Sequence, residues 1–169
     1  MRNNVLVNSQ RMFEHACAFC DCAKFCEVEP NSIEYRMRSH TVSGIVNSAF
    51  ACEVFIKTLL VYHGKDVKDI KCHKLKTLWK EYRTLDYDTA ILVEESIKSW
   101  FNSKNENIFN ELLNQSSNAF EYWRYIYEKQ NGNININFLR GFRYILREVC
   151  CRQLFSMSWE KYKNRDYNI

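Results

Sequence analysis

Apolar side chains recur every three or four positions along most of this chain, and the recurrence is interrupted by short polar runs, a single proline and a few Gly- or Asn-containing turns. Six helical segments are predicted. The first spans about 4–27, where Phe13, Ala16, Cys17, Cys20 and Ala23 fall at helical spacing, and it ends before Pro30. The second spans about 33–63, with Asn31 and Ser32 available as caps and Gly64 as a breaker. Within it Ile45, Ala49, Cys52, Ile56 and Leu59 form one apolar stripe, and Val46, Phe50 and Leu60 form another beside it. So wide an apolar arc places this helix at the centre of the protein.

A charged loop, 65–71, leads to a short helix over about 73–83 whose apolar face is Leu75, Leu78, Trp79 and Tyr82. Asp86 or Asp88 then caps a helix reaching about 103. A fifth helix is expected over about 106–129, with Phe109, Leu112, Leu113, Phe120, Trp123 and Tyr127 inward. Asn131-Gly132-Asn133 turns the chain into a last helix over about 135–162, with Leu139, Phe142, Leu146 and Val149 inward. The expected fold is all-α: one compact antiparallel bundle of about five to six helices filling 1–169, with 1–30 as an extra N-terminal helix and 163–169 as a polar tail.

Composition supports this reading. Among 169 residues there are 4 Gly and 1 Pro, too few for the special turns of an all-β fold, and the 46% apolar content supplies a core. The net charge of +4 permits a nucleic-acid partner without demanding one. The first ten residues have no apolar signal-peptide core, and the most apolar stretch, Val54 to Tyr62, is interrupted by Lys57 and is too short for a bilayer. The expected setting is the cytoplasm, with no membrane partner and with the 8 cysteines held as thiols.

Three stretches carry a family resemblance. Asn47 to Leu60 contains Glu53 followed four places later by Lys57 in an apolar run. His73-Lys74-Leu75-Lys76-Thr77-Leu78 has the pattern His-x-Leu-x-x-Leu, and Ala119 to Glu128 contains Tyr122-Trp123-Arg124-Tyr125-Ile126-Tyr127-Glu128. In this order, over roughly 32–155, they resemble the HEPN family of helical domains. The resemblance implies a compact bundle, often a homodimer, associated with RNA or nucleotides in toxin–antitoxin or phage-defence systems, with a cognate antitoxin or nucleotidyltransferase as a possible partner and no cofactor. Many active members of that family are metal-independent ribonucleases that use an Arg followed by His after four to six residues. This chain departs from that pattern: none of Arg124, Arg140, Arg143 and Arg147 is followed by a histidine at that distance, and Arg11–His15 and Arg36–His40 are one residue too close. Whether it is an enzyme stays open, as does the alternative of a non-catalytic helical protein-interaction module.

Several constellations follow from spacing. Glu53 and Lys57 are in the favourable order for a helical ion pair, and a charge in so apolar a helix needs partners. Arg124 is the expected partner of Glu53, and the candidate polar cluster is Glu53, Lys57, His73, Arg124 and Glu128. It serves either as a clasp between helices or as a phosphate- or base-binding cleft. Lys74, Lys76, Arg140, Arg143 and Arg147 are the candidate RNA- or phosphate-binding residues, set against an ordinary solvated face. Cys17-x-x-Cys20-x-Cys22-x-x-x-Cys26 has zinc-like spacing, but on a continuous helix its thiols point around the cylinder. No metal is therefore expected, and core thiols are the reading for Cys17, Cys20, Cys52 and Cys150. No Gly-rich phosphate loop, nucleophile elbow, HExxH or paired-carboxylate motif is present.

Overall fold

Helix α2 (Tyr35–Tyr62) is the axis about which the rest of the protein packs. Both of its apolar stripes are used: Ile45, Ala49, Cys52, Ile56, Leu59 and Leu60 are buried, while Phe50 and Val46 are partly buried at the edge. The structure is a computed structural model that describes residues 2–27, 35–129 and 133–165. Among them there is no strand, and the all-α bundle is as expected.

Helix α1 (Arg2–Cys26) runs antiparallel to α2: Phe13 meets Phe55, Phe19 meets Phe50, and Cys26 lies against Gly44. It also runs antiparallel to α7 (Ile136–Phe155), since Phe13 meets Phe155, Asp21 meets Arg147 and Glu27 meets Arg143. Helices α3 (Leu75–Leu85) and α4 (Tyr87–Trp100) form a tight pair whose junction is Asp86. The Asp86 carboxylate accepts the Thr89 N–H and so caps α4. Trp100, at the end of α4, lies against Gly141 of α7, where a Cβ atom would come within 3.1 Å of its ring.

Two expected helices are broken. The fifth segment is divided into α5 (Ile108–Ser116), α6 (Ala119–Arg124) and a 3-10 turn, Ile126–Glu128. The interruption at Ser117 has a use: its carbonyl accepts the Leu75 N–H and its hydroxyl accepts the Lys76 N–H, which satisfies the start of α3. Because α6 ends at Arg124, Tyr127 leaves the core side and is 77% exposed. The last segment ends at Ser156, in the left-handed conformation with φ 55°. Ser158 then caps α8 (Trp159–Lys163), which lays Trp159 and Tyr162 against Phe13. The turn expected at 131–133 lies mostly outside the described residues, as does the end of the polar tail.

By length and composition, His40–Tyr62 would reach across a bilayer, a longer stretch than the Val54–Tyr62 run suggests. It is mostly buried inside this protein, so its apolar character is that of a core helix.

Candidate functional site

Glu53 projects from the middle of α2 and is only 1% exposed. Its Oε1 accepts from Lys57 Nζ and from His73 Nδ1, each at 2.9 Å, while its Oε2 is buried without a protein partner. The first contact follows from the i, i+4 spacing. The second requires the loop before α3 to bring His73 back over α2. His73 itself is half-exposed, so the carboxylate fixes one ring nitrogen and leaves the other edge of the ring toward solvent. Three of the five expected cluster members thus come together.

Arg124 and Glu128 do not join them. Phe120, one turn before Arg124, occupies the space between: its ring stacks on Phe50 with centroids 4.6 Å apart and lies 6.2 Å from the His73 ring. Arg124 is held outward, 5.1 Å over Phe120 and 4.7 Å over Tyr125, and donates to the Tyr125 hydroxyl at 2.9 Å. Glu128 falls in the 3-10 turn beyond the helix and is exposed. The expected Glu53–Arg124 contact is therefore replaced by a row, Glu53–His73–Phe120–Arg124, in which an aromatic ring separates the charges.

Lys74 and Lys76 are exposed at the start of α3, beside His73 and next to Ser117. The α7 arginines are placed differently from the expected phosphate-binding face. Arg143 is fully buried, donates to both Glu27 carboxylate oxygens at 2.8 and 2.7 Å, and donates to the Ser48 hydroxyl at 2.6 Å. Burial opposes its charge, but the Glu27 carboxylate outweighs that cost and holds the guanidinium firmly protonated. Arg147 pairs with Asp21 and lies 4.1 Å over the Trp159 ring, and Arg140 pairs with Glu27 at 3.1 Å. These three arginines bind α1 to α7 because Asp21 of α1 and Glu27, the residue that follows α1, face them across the antiparallel contact.

The cysteines follow the core reading. Cys17, Cys20, Cys52 and Cys150 are buried, as is Cys151, and burial raises the pKa of each of these thiols, Cys151 to about 12. Cys22 is exposed. Among the described residues no group of three or more His, Cys, Asp or Glu is arranged to hold a metal ion.

One constellation has no sequence signal. Asp86 Oδ2 accepts from Gln153 Nε2 at 2.6 Å and from the Tyr82 hydroxyl at 3.2 Å. His63 Nε2 lies 3.2 Å from Gln153 Oε1 and 3.5 Å from Asp86 Oδ2. Burial opposes ionisation of Asp86, but hydrogen bonds from Thr89, Gln153 and Tyr82 outweigh it and hold the carboxyl below its ordinary value. Burial, then the Asp86 charge, pushes the Tyr82 phenol up. Gln153 and Thr89 also line one end of a groove of about 590 Å³ between α4 and α7, whose walls include Leu92, Val93, Ile145 and Val149. Comparison with protein families, with characterised proteins and with solved structures finds no match.

Proposed function

We propose that this chain is an RNA- or nucleotide-associated helical domain of the HEPN kind, acting in the cytoplasm. The observation that carries the reading is that His73 and Arg124 approach Phe120 from either side, with Lys74 and Lys76 exposed just after His73 and Tyr125 exposed just after Arg124. Cations beside exposed aromatic rings are what phosphate contact and base stacking need. The α7 arginines contribute to stability instead, because Asp21 and Glu27 already neutralise them. Any acid–base chemistry on this strip would run through His73, which Glu53 orients, in place of the Arg-x4–6-His pair that the sequence lacks. Titration of the protein with labelled single-stranded RNA over a salt series tests the reading; affinity that falls steeply with salt supports it, and absence of binding at low salt contradicts it.

The α4–α7 groove favours a second reading, a protein-interaction module, and a second copy of this chain is the occupant we propose. Leu92 stands 66% exposed at the groove, and Tyr87 and Trp100 at the two ends of the same helix are exposed too. Glu148 and Arg152 on one wall pair with each other at 2.7 Å, so the apolar floor is bordered by a neutralised pair that a second copy meets without charge repulsion.

A further inference from the structure

We infer that an uncharged cleft beside the basic strip takes an unstacked nucleobase of the bound RNA, an inference that rests on the nucleic-acid reading above. The cleft lies between the α5–α6 junction and the residues that lead into α7. It consists of two adjoining hollows of about 200 and 470 Å³ that share Gln115 and Asn133 in their walls. Asn114, Gln115 and Asn118 line one side, Asn133 and Asn137 the other, and Trp123 closes a wall. None of these five amides makes a side-chain hydrogen bond among the described residues.

Among the described residues the lining contains no acidic or basic side chain. A cation would find no carboxylate there, and a phosphate no counter-charge. What the cleft offers is a set of amides, each with both donors and an acceptor, next to an indole ring. Nucleobase edges present the same mixture of donors and acceptors, and paired amide contacts read them. Bases in single-stranded RNA are unpaired, so they can be splayed out of their own stack to lie on aromatic rings. Helix α6 joins the two surfaces: Trp123 borders the cleft, while the next residues, Arg124 and Tyr125, belong to the strip. Phosphate contacts and base contacts would therefore come from neighbouring residues, one set supplying affinity and the other sequence preference.

The test is fluorescence anisotropy with short labelled oligoribonucleotides of adenine, cytosine or uracil, using the whole chain. The wild-type protein should prefer one base over the least favoured by about tenfold or more. The double variant N114A/N118A changes two exposed amides, neither of which caps a helix with its side chain, so it should fold. It should bring the three affinities within about twofold of one another and leave the salt dependence unchanged. Arg124→Ala should instead weaken all three in parallel. Equal wild-type affinities, or a base preference that survives in N114A/N118A, would overturn the cleft while leaving the strip intact. Failure of the wild-type protein to bind any of the three would overturn both.

Discussion

Arg143 of α7 and Glu27 at the end of α1, 116 residues apart in sequence, meet through two hydrogen bonds of 2.8 and 2.7 Å with the guanidinium wholly out of solvent. The contact fixes the end of α1 against α7 where Arg140 also approaches Glu27. Replacing Arg143 by Ala leaves the mostly buried Glu27 carboxylate with Arg140 alone, removes the partner of Ser48 and opens a cavity, so a destabilisation of about 3 kcal/mol, at the lower end for a broken buried pair, is expected in chemical denaturation. A double change, Arg143→Met with Glu27→Leu, should cost much less. Equal destabilisation in the single and double variants would show that packing, and not the charge pair, governs this contact.

Thiol reactivity should divide by position. Cys22 is exposed and should react quickly with a thiol reagent in the native protein, whereas Cys17, Cys20, Cys52, Cys150 and Cys151 should react only on unfolding, when all 8 become available. Fast native labelling of Cys52 or Cys150 would contradict their burial between α2 and α7.

Acid should weaken the junction of α2, α3, α4 and α7 through Asp86. Its carboxyl is held below the ordinary value in the folded protein, so its contribution is complete above the ordinary carboxylate range and disappears as pH falls through the lowered value. Asp86→Asn should therefore be less stable than wild type at neutral pH by about 1 kcal/mol, since Asn still caps a helix. The difference should shrink below about pH 4. A gap that stays constant on acidification would mean that the charge of Asp86 is not what Gln153 and Tyr82 stabilise.

The sequence makes the architecture legible wherever burial follows period. The two stripes of α2 predict its central place, and Leu75, Leu78, Trp79 and Tyr82 predict the buried face of α3, because each set lies within one helix. The clasp of Glu53 with Lys57 is legible for the same reason, and His73, offered only as a further member of that cluster, does reach Glu53. What is not legible depends on distant partners. Ser117 reads as one more polar position until its two hydrogen bonds with α3 explain the break there. Arg143 and Arg147 look like a solvated basic face because the acids that bury them lie on another helix. Arg124 misses Glu53 because Phe120, equally suited to the core side, takes the place against Phe50.

The α4–α7 groove makes a separate demand. If a second copy covers it, Leu92→Glu should shift the protein to monomer in light scattering without lowering its melting temperature by more than a few degrees, because Leu92 is 66% exposed in the single chain. A wild-type protein that is monomeric at high concentration would leave the groove without that occupant.

The most direct test of the RNA-associated reading is the salt dependence of single-stranded RNA binding in wild type and in the variant K74A/K76A/R124A. All three side chains are exposed and none joins an ion pair within the described residues, so the variant should melt close to wild type. Wild type should bind at low salt with affinity that falls linearly on a logarithmic salt scale. The variant should bind more weakly, with a slope smaller by about 0.7 for each phosphate it no longer neutralises. Absence of wild-type binding at low salt, or a variant with unchanged affinity and slope, would contradict the assignment of this strip to RNA.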